Sequence, residues 1–423
     1  MLSENEIKEI LIRQKETILN KAYGLERTIL KTIGSKIRLP HIVVLTGLRR
    51  SGKSTLLRQI IRKEYDDKKF FYINFEDERL MDFPAKEFNR LHEALIGLFG
   101  NQKTFFLDEI QNISGFEIFI RRLYEEGFKF FITESSATLL SRELGTKLTG
   151  RHIDIIVKPF SFTEFMKFKG IELTKESFYI VEKRTEIKRL FEEYLVNGGM
   201  PEYIIYGDPE ILSRVYDDVI VKDIAVRYKV SNIYLLRQLY SLLITNFSNR
   251  FSYNSIRKII GIKSVNTIKK YISYIEETYF AKTINKFDYS IRRQIINDKK
   301  LYVLDNGFIN ILSKKVTKDK GWLLENLVFN HLKTNIDIFY HSNKTECDFL
   351  IVKNREIINA IQVCYELTDE NKEREINGLM DALKKYKLKQ GLILTLNEED
   401  EERIKGRKII IKPVWKWLIE DNE

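Results

Sequence analysis

The spacing of apolar positions divides the chain into two regimes. Up to about residue 135, short apolar runs alternate with segments of helical spacing. His41-Ile-Val-Val-Leu45, running into Thr46-Gly47, reads as a buried strand. Thr55 to Tyr65 carries Leu56, Leu57, Ile60 and Ile61 at helical spacing. Phe70 to Phe75, Thr104 to Leu107 and Phe128 to Ile132 are three further strands, and Leu91 to Phe99 and Phe116 to Glu126 are helices. Strands alternating with helices predict a parallel sheet with right-handed crossovers. Residues 1–38 read as one or two amphipathic helices leading into it.

The pattern changes after about residue 170. Long helical stretches dominate from Glu182 to Leu243. Tyr253 to Ile260 is a helix, Gly261-Ile-Lys263 a turn, and Ser264 to Tyr279 a second helix with Ser264 as its N-cap. Phe280 to Asp288 and Lys299 to Leu304 follow as the two strands of a wing. From about 320 to 415 the order is helix, strand, strand, helix, strand. The expected division is 1–170, 171–315 and 316–423, three domains joined by short linkers, since only six prolines are present.

Composition narrows the class. With 43% hydrophobic and 12% aromatic residues, 423 residues suffice for sizeable cores. No apolar run approaches the ~18 residues that span a bilayer, and the charged start MLSENEIKEILIRQKE lacks the apolar stretch of a signal peptide. No membrane association is expected. Cys347 and Cys364 form neither a disulfide framework nor a zinc pattern, so a reducing, cytoplasmic setting is expected. The net charge of +11 favours polyanion partners, nucleic acid foremost.

The most specific chemistry lies at Gly47-Leu48-Arg49-Arg50-Ser51-Gly52-Lys53-Ser54, which fits the phosphate-loop pattern G-x-x-x-x-G-K-[ST], followed by Thr55. Glycines let the backbone curl so that successive N–H groups face phosphate oxygens, and the following helix adds its positive end. Lys53 is expected on the β- and γ-phosphates and Ser54 on Mg²⁺, making ATP with Mg²⁺ the expected cofactor. Asp108 and Glu109 close an apolar strand at the end where ligands bind. Asp108 is expected to hold Mg²⁺ through water, and Glu109 to polarise the attacking water. After the fourth strand, Ser135 is a candidate γ-phosphate sensor, with N-capping as its plain alternative. Arg151 is a candidate arginine finger for a neighbouring subunit, with Arg142 behind it, and a surface arginine is the plain alternative for both. Asn343-Lys-Thr-Glu346 superficially matches a guanine-reading motif but lies far from the nucleotide region.

These residues resemble one family. Val43 to Thr55, Leu107-Asp-Glu-Ile-Gln-Asn112 with Gly115-Phe-Glu117, Leu139 to Glu143 before Leu148-Thr-Gly-Arg151, Pro159-Phe-Ser-Phe-Thr-Glu-Phe165 and Gly198-Gly-Met-Pro-Glu202 are similar to motifs of the large archaeal and bacterial AAA-family ATPases with an uncharacterised C-terminal module. The resemblance covers nearly the whole chain. It implies an α/β protein: a parallel-sheet P-loop AAA-type ATPase domain, a helical and winged-helix middle, and a C-terminal α/β restriction-endonuclease-like domain. One departure is Glu134, where the family usually has the glycine of Thr-Gly-Ser.

Two further readings follow. Residues 251–300 hold eleven Lys/Arg against four Asp/Glu, so a basic winged helix is expected to meet DNA through Lys263, Lys269, Lys270, Arg292 and Arg293. Packing or dimerisation is the alternative use of such a module. At the C-terminus the resemblance places Glu325, Asp348 and Gln362 at metal-ligand positions. The usual E-x-K reads here Gln362-Val363-Cys364, and a cysteine cannot supply lysine's charge, so a degenerate nuclease site is expected. The function expected is ATP hydrolysis coupled to DNA binding, in a possible homo-oligomer whose subunits exchange the finger arginine. The alternatives are an ATP-dependent switch assembling with a protein partner, and an ATP-gated metal-dependent nuclease.

Overall fold

A computed structural model describes residues 2–65, 68–80, 83–135, 150–314, 319–333 and 336–420. The chain divides into two compact units, Met1–Lys158 with Glu277–Tyr279, and Pro159–Glu276 with Phe280–Glu423.

Among the described residues, the first unit carries five strands: β1 Ile42–Thr46, β2 Phe71–Asn74, β3 Thr104–Asp108, β4 Lys129–Glu134 and β5 His152–Ile156. They pair in the order β2-β3-β4-β1-β5, every neighbour parallel. Period-two alternation sorts their side chains onto two faces. Ile42, Val44, Phe105, Leu107, Phe130 and Ile132 join the helices Glu4–Asn20, Phe88–Phe99 and Phe116–Glu125 in one core. Val43, Leu45, Phe106, Phe131 and Ile155 join the helices Ile29–Ile37 and Lys53–Glu64 in the other. Phe105 stacks on Phe130 and Phe106 on Phe131, with ring centroids 5.2 and 4.7 Å apart, locking β3 to β4 from both sides. Four strands lie where their apolar runs predict. β5 escapes that reading because His152 and Asp154 break its run.

The second unit begins with helices, among them Val181–Asn197, Pro209–Asp218 and Ile233–Thr245. Two motifs of the resemblance meet here as architecture. Ser161 caps the helix Phe162–Phe168 in a reciprocal box with Glu164. The Phe160 amide donates to the Gly199 carbonyl at 2.8 Å, an approach so close that a Cβ on Gly199 would lie 2.1 Å from the Phe160 oxygen. Asp305 accepts the amides of Gly199 at 2.6 Å and Gly307 at 2.9 Å. Burial pushes its carboxyl up to about 6.

The remaining strands are β6 Arg250–Phe251, β7 Ala281–Lys286, β8 Lys299–Val303, β9 Asp337–Ser342, β10 Glu346–Lys353, β11 Glu356–Val363, β12 Gln390–Thr395, β13 Asp400–Ile404 and β14 Arg407–Pro413. Among the described residues they form one sheet in the order β13-β14-β12-β11-β10-β9-β7-β8-β6. The helices Tyr253–Ile260 and Val265–Glu277 fall where the sequence predicts, and β7 and β8 form an antiparallel hairpin carrying the short helix Ile291–Ile296. The first compact unit runs to Lys158 and takes in Glu277–Tyr279. No sheet boundary follows residue 315, because β7 pairs in parallel with β9 through Asn285↔Phe339 and Lys286↔Tyr340. Apolar packing on the C-terminal strands comes from the helix Lys372–Lys385, through Ile376, Leu379, Ala382 and Leu383.

Candidate functional site

The phosphate loop joins β1 to the helix Lys53–Glu64. Gly47 has φ +144°, and a Cβ there would lie 2.4 Å from the Val157 carbonyl oxygen, so the first loop position admits no side chain. The buried Arg27 clamps the loop from outside, donating to the carbonyls of Ser51 at 3.0 Å and Lys158 at 2.6 Å. The Ser51 hydroxyl is buried with no hydrogen-bond partner among the described residues. Lys53 is 4% exposed and donates to the carbonyls of Gly47 and Leu48 at 3.2 and 3.1 Å, with Glu109 at 4.0 Å. An ammonium resting on its own loop's carbonyls has donors to redirect to an anion. Arg49 faces Glu76 at 3.8 Å, and Arg50 takes a left-handed φ of +62°. Thr55 accepts from Arg58 at 3.2 Å.

The acidic half lies across from Ser54, whose hydroxyl donates to Asp108 Oδ1 at 3.0 Å. Thr133 donates to the same oxygen and accepts the Glu109 amide at 2.9 Å. Tyr72 donates to Asp108 Oδ2 at 3.3 Å. Burial, with Glu109 beside it, pushes the Asp108 carboxyl up to about 6, while Thr133, Ser54 and Lys53 pull against that rise. Gln111 donates to Glu109 and to the Ser135 hydroxyl at 3.2 Å. Thus Lys53, Ser54, Asp108, Glu109 and Ser135 lie along the same ends of β1, β3 and β4. Thr133 was not singled out from the sequence. Its signal is a hydroxyl two residues before Ser135 on the strand paired with β3.

Arg151 is ion-paired with Glu125 of its own chain. Arg142 lies outside the described residues.

The basic candidates divide by burial. Lys263, Lys269, Lys270, Arg292 and Arg293 are exposed, and Arg293 pairs with Asp288 at 2.9 Å. Lys299 and Lys300, counted with them in the sequence, are buried. They take no part in a surface charge.

Lys300 instead enters the C-terminal cluster. Glu325, Asp348 and Gln362 line one cavity of about 440 Å³. Lys300 Nζ lies 2.9 Å from Glu325, 3.1 Å from Asp348 and 2.7 Å from Glu346. The ladder to β9 shifts register between Cys347 and Leu350, which spans Asp348. Gln362 donates to Glu375 at 2.7 Å. Cys364 donates its thiol hydrogen to the Glu366 carbonyl, and burial pushes that thiol up to about 12. The cation beside these carboxyls comes from Lys300 on β8, far from Gln362-Val363-Cys364 in the sequence. Spacing within the C-terminal segment contains no sign of it.

Residues 40–166 match the sequence model of an AAA domain, and residues 188–319 match a domain of unknown function, DUF8612. The uncharacterized protein MJ1544 of Methanocaldococcus jannaschii is 37% identical over 443 aligned positions, covering 99% of this chain and 96% of that protein. An uncharacterized protein of Haemophilus influenzae is 27% identical, over 90% of this chain and 94% of its own. Among solved structures, AMPPCP-bound DnaA from Aquifex aeolicus is 18% identical with a TM-score of 0.28, covering 62% of this chain and 92% of that one. The Thermotoga maritima RuvB Holliday junction branch migration motor is 15% identical with a TM-score of 0.26, covering 66% and 89%. No helix among the described residues is long and apolar enough to cross a membrane.

Proposed function

This chain belongs to the same family as the Methanocaldococcus jannaschii protein and carries an AAA domain; from that premise we propose that it binds ATP with Mg²⁺ at Gly47–Thr55 and hydrolyses it. The observation that carries the reading is the convergence of Lys53, Ser54, Asp108, Thr133 and Glu109 beside a loop held open by Gly47. The residues suit the cofactor. The unpartnered Ser51 hydroxyl and the Lys53 ammonium are donors available to phosphate oxygens. Ser54 and the buried Asp108 are oxygen ligands of the kind Mg²⁺ takes. When bound, Mg²⁺ offsets negative charge on the phosphates. Lys53 turns from the Gly47 and Leu48 carbonyls to the phosphates. Glu109, with its backbone fixed by Thr133, orients the attacking water. Gln111 ties Glu109 to Ser135, which gives Ser135 a path to report on the γ-phosphate.

The second unit is the part of the chain that the nucleotide cycle serves. Its exposed Lys263, Lys269, Lys270, Arg292 and Arg293 suit a phosphate backbone, and DNA is the partner we assign to them. Arg151 is assigned to a neighbouring subunit's nucleotide in a homo-oligomer.

One experiment tests both parts: ATP turnover of the wild type and of Lys53→Ala, with and without duplex DNA, alongside gel retardation at low salt. The expected result is turnover that DNA stimulates and that the variant loses. Unchanged turnover in Lys53→Ala removes the ATPase reading. Absence of retardation at low salt removes the DNA reading and leaves the ATPase standing.

A further inference from the structure

The C-terminal cavity gathers an unusual amount of buried charge. Glu325, Asp348 and Glu375 are buried, and the Ser248 hydroxyl, also buried on the cavity wall, has no hydrogen-bond partner among the described residues. Carboxylates removed from water need a counter-charge, and an unmatched buried ion is strongly destabilising. Two sources could supply it, a divalent cation from solvent or an ammonium of the chain.

The contacts discriminate between the two. Glu325 Oε1 receives Lys300 Nζ at 2.9 Å and the Tyr302 hydroxyl at 2.6 Å. Asp348 Oδ1 receives Lys300 at 3.1 Å, and its Oδ2 receives the Val363 amide at 3.0 Å. Glu346 shares the same ammonium at 2.7 Å and takes Arg250 on its other oxygen at 3.2 Å. Gln362, the remaining candidate ligand, has its oxygen on the Asp348 amide at 3.3 Å and its nitrogen on Glu375. Glu375 is held by Arg374 at 2.7 Å. Glu325 Oε1, both oxygens of Asp348 and both of Glu346 are thus already engaged by protein donors, around one ammonium that is 3% exposed. Consistently, no group of three or more His, Cys, Asp or Glu among the described residues is arranged to hold a metal ion.

We propose that Lys300 is the resident cation of this pocket, occupying the place of a divalent metal ion between Glu325 and Asp348. The pocket is assembled without metal around one ammonium, and deleting that ammonium converts it into a divalent-cation site. A neutral side chain at position 300 leaves the carboxylates of Glu325 and Asp348 converging on an accessible cavity, which is the ligand chemistry that Mn²⁺, Mg²⁺ and Ca²⁺ share.

The test is Mn²⁺ titration of the full chain without nucleotide, read by calorimetry and by melting temperature. The proteins are wild type, Asp348→Asn, Lys300→Met and the double variant Lys300→Met/Asp348→Asn. Comparing each with its Asp348→Asn counterpart subtracts any Mn²⁺ held at the phosphate loop. Expected is no Asp348-dependent uptake by wild type. Lys300→Met should gain one Mn²⁺ site, at least tenfold tighter than any Mn²⁺ uptake by wild type, with a melting temperature that rises on Mn²⁺ addition. The double variant should lose both effects. Asp348-dependent Mn²⁺ binding by wild type overturns the proposal, as does a Lys300→Met protein that gains no site. If Lys300→Met fails to fold in chelator, recovery on refolding into Mn²⁺ supports the proposal, and equal failure with and without Mn²⁺ overturns it.

Discussion

Thr133 and Asp108 are joined by a hydrogen bond in which the threonine hydroxyl donates, and the same hydroxyl accepts the Glu109 amide at 2.9 Å. One side chain of β4 thereby sets both acidic residues at the end of β3. Thr133→Val keeps the shape and removes both bonds. Turnover should fall about 10–100-fold, the usual effect of losing a partner that orients a metal-binding carboxylate, with ATP affinity within about threefold of wild type. The buried carboxylate loses a donor, costing about 1–3 kcal/mol of stability. Steady-state kinetics and a fluorescent-nucleotide titration separate the two effects, and unchanged turnover would reduce Thr133 to packing.

Asp108 adds a pH dependence. Burial and Glu109 raise its carboxyl to about 6, so it carries a proton below that pH and cannot then serve a cation. The Mg²⁺ concentration for half-maximal turnover should be flat above about pH 7 and rise by about tenfold per pH unit below about 6. Measuring turnover against Mg²⁺ at several pH values checks this. A profile flat down to pH 5 would take Asp108 out of the metal's environment.

Asp305 titrates in the same range with a stability readout. Its folded-state carboxyl is raised by burial to about 6, above its ordinary value in the unfolded chain. The folded state therefore binds more protons between those values. Its contribution to stability is fully present below about pH 4 and is lost as pH rises through about 6. Asp305→Ala strands the amides of Gly199 and Gly307, costing about 2–4 kcal/mol on the usual cost of unmatched buried donors. Chemical denaturation of wild type and variant from pH 4 to 8 reads both effects.

Arg151 offers a sharper discrimination than its position suggests. Its intrachain pair with Glu125 is partly exposed, and such pairs contribute about 0–1 kcal/mol. Arg151→Ala should melt close to wild type. If Arg151 serves a neighbour's nucleotide, turnover at assembling concentrations should drop by about a thousandfold with nucleotide binding retained. Turnover equal to wild type at every protein concentration would leave Arg151 as a surface residue.

The basic face is tested by salt. Lys269→Ala/Lys270→Ala should weaken duplex binding alike across unrelated sequences and lower the slope of log affinity against log salt by about 2. Fluorescence anisotropy measures the slope. Affinity indifferent to both substitutions would move the contact elsewhere.

What the sequence reveals here depends on how locally each feature is encoded. The phosphate loop, Asp108 and Glu109 are legible because a buried parallel strand is an unbroken apolar run whose end marks the ligand side. β5 is hidden by His152 and Asp154, and its strand state comes from pairing with β1. Thr133 is visible as a hydroxyl, but its role depends on the register of β3 against β4. Lys300 is the extreme case: its sequence neighbours are basic and hairpin-like, and only tertiary structure carries its ammonium to Glu325 and Asp348. For the same reason the count of positive charge over 251–300 overstates the surface that DNA could meet.

The parallel pairing of β7 with β9 bears on how this protein can be cut. A fragment ending near residue 315 keeps Lys300 but discards Glu325, Glu346 and Asp348, stranding a buried ammonium and leaving the outer edge of β7 bare. The complementary fragment keeps the carboxylates, lacks their counter-charge and exposes the edge of β9. Unpaired edges of that kind invite association between chains. Residues on either side of the cut are therefore a single structural unit. Recombination, domain swapping or truncation that respects the apparent helix-turn-helix boundary would break the protein, whereas an exchange made near residue 158 would spare this sheet.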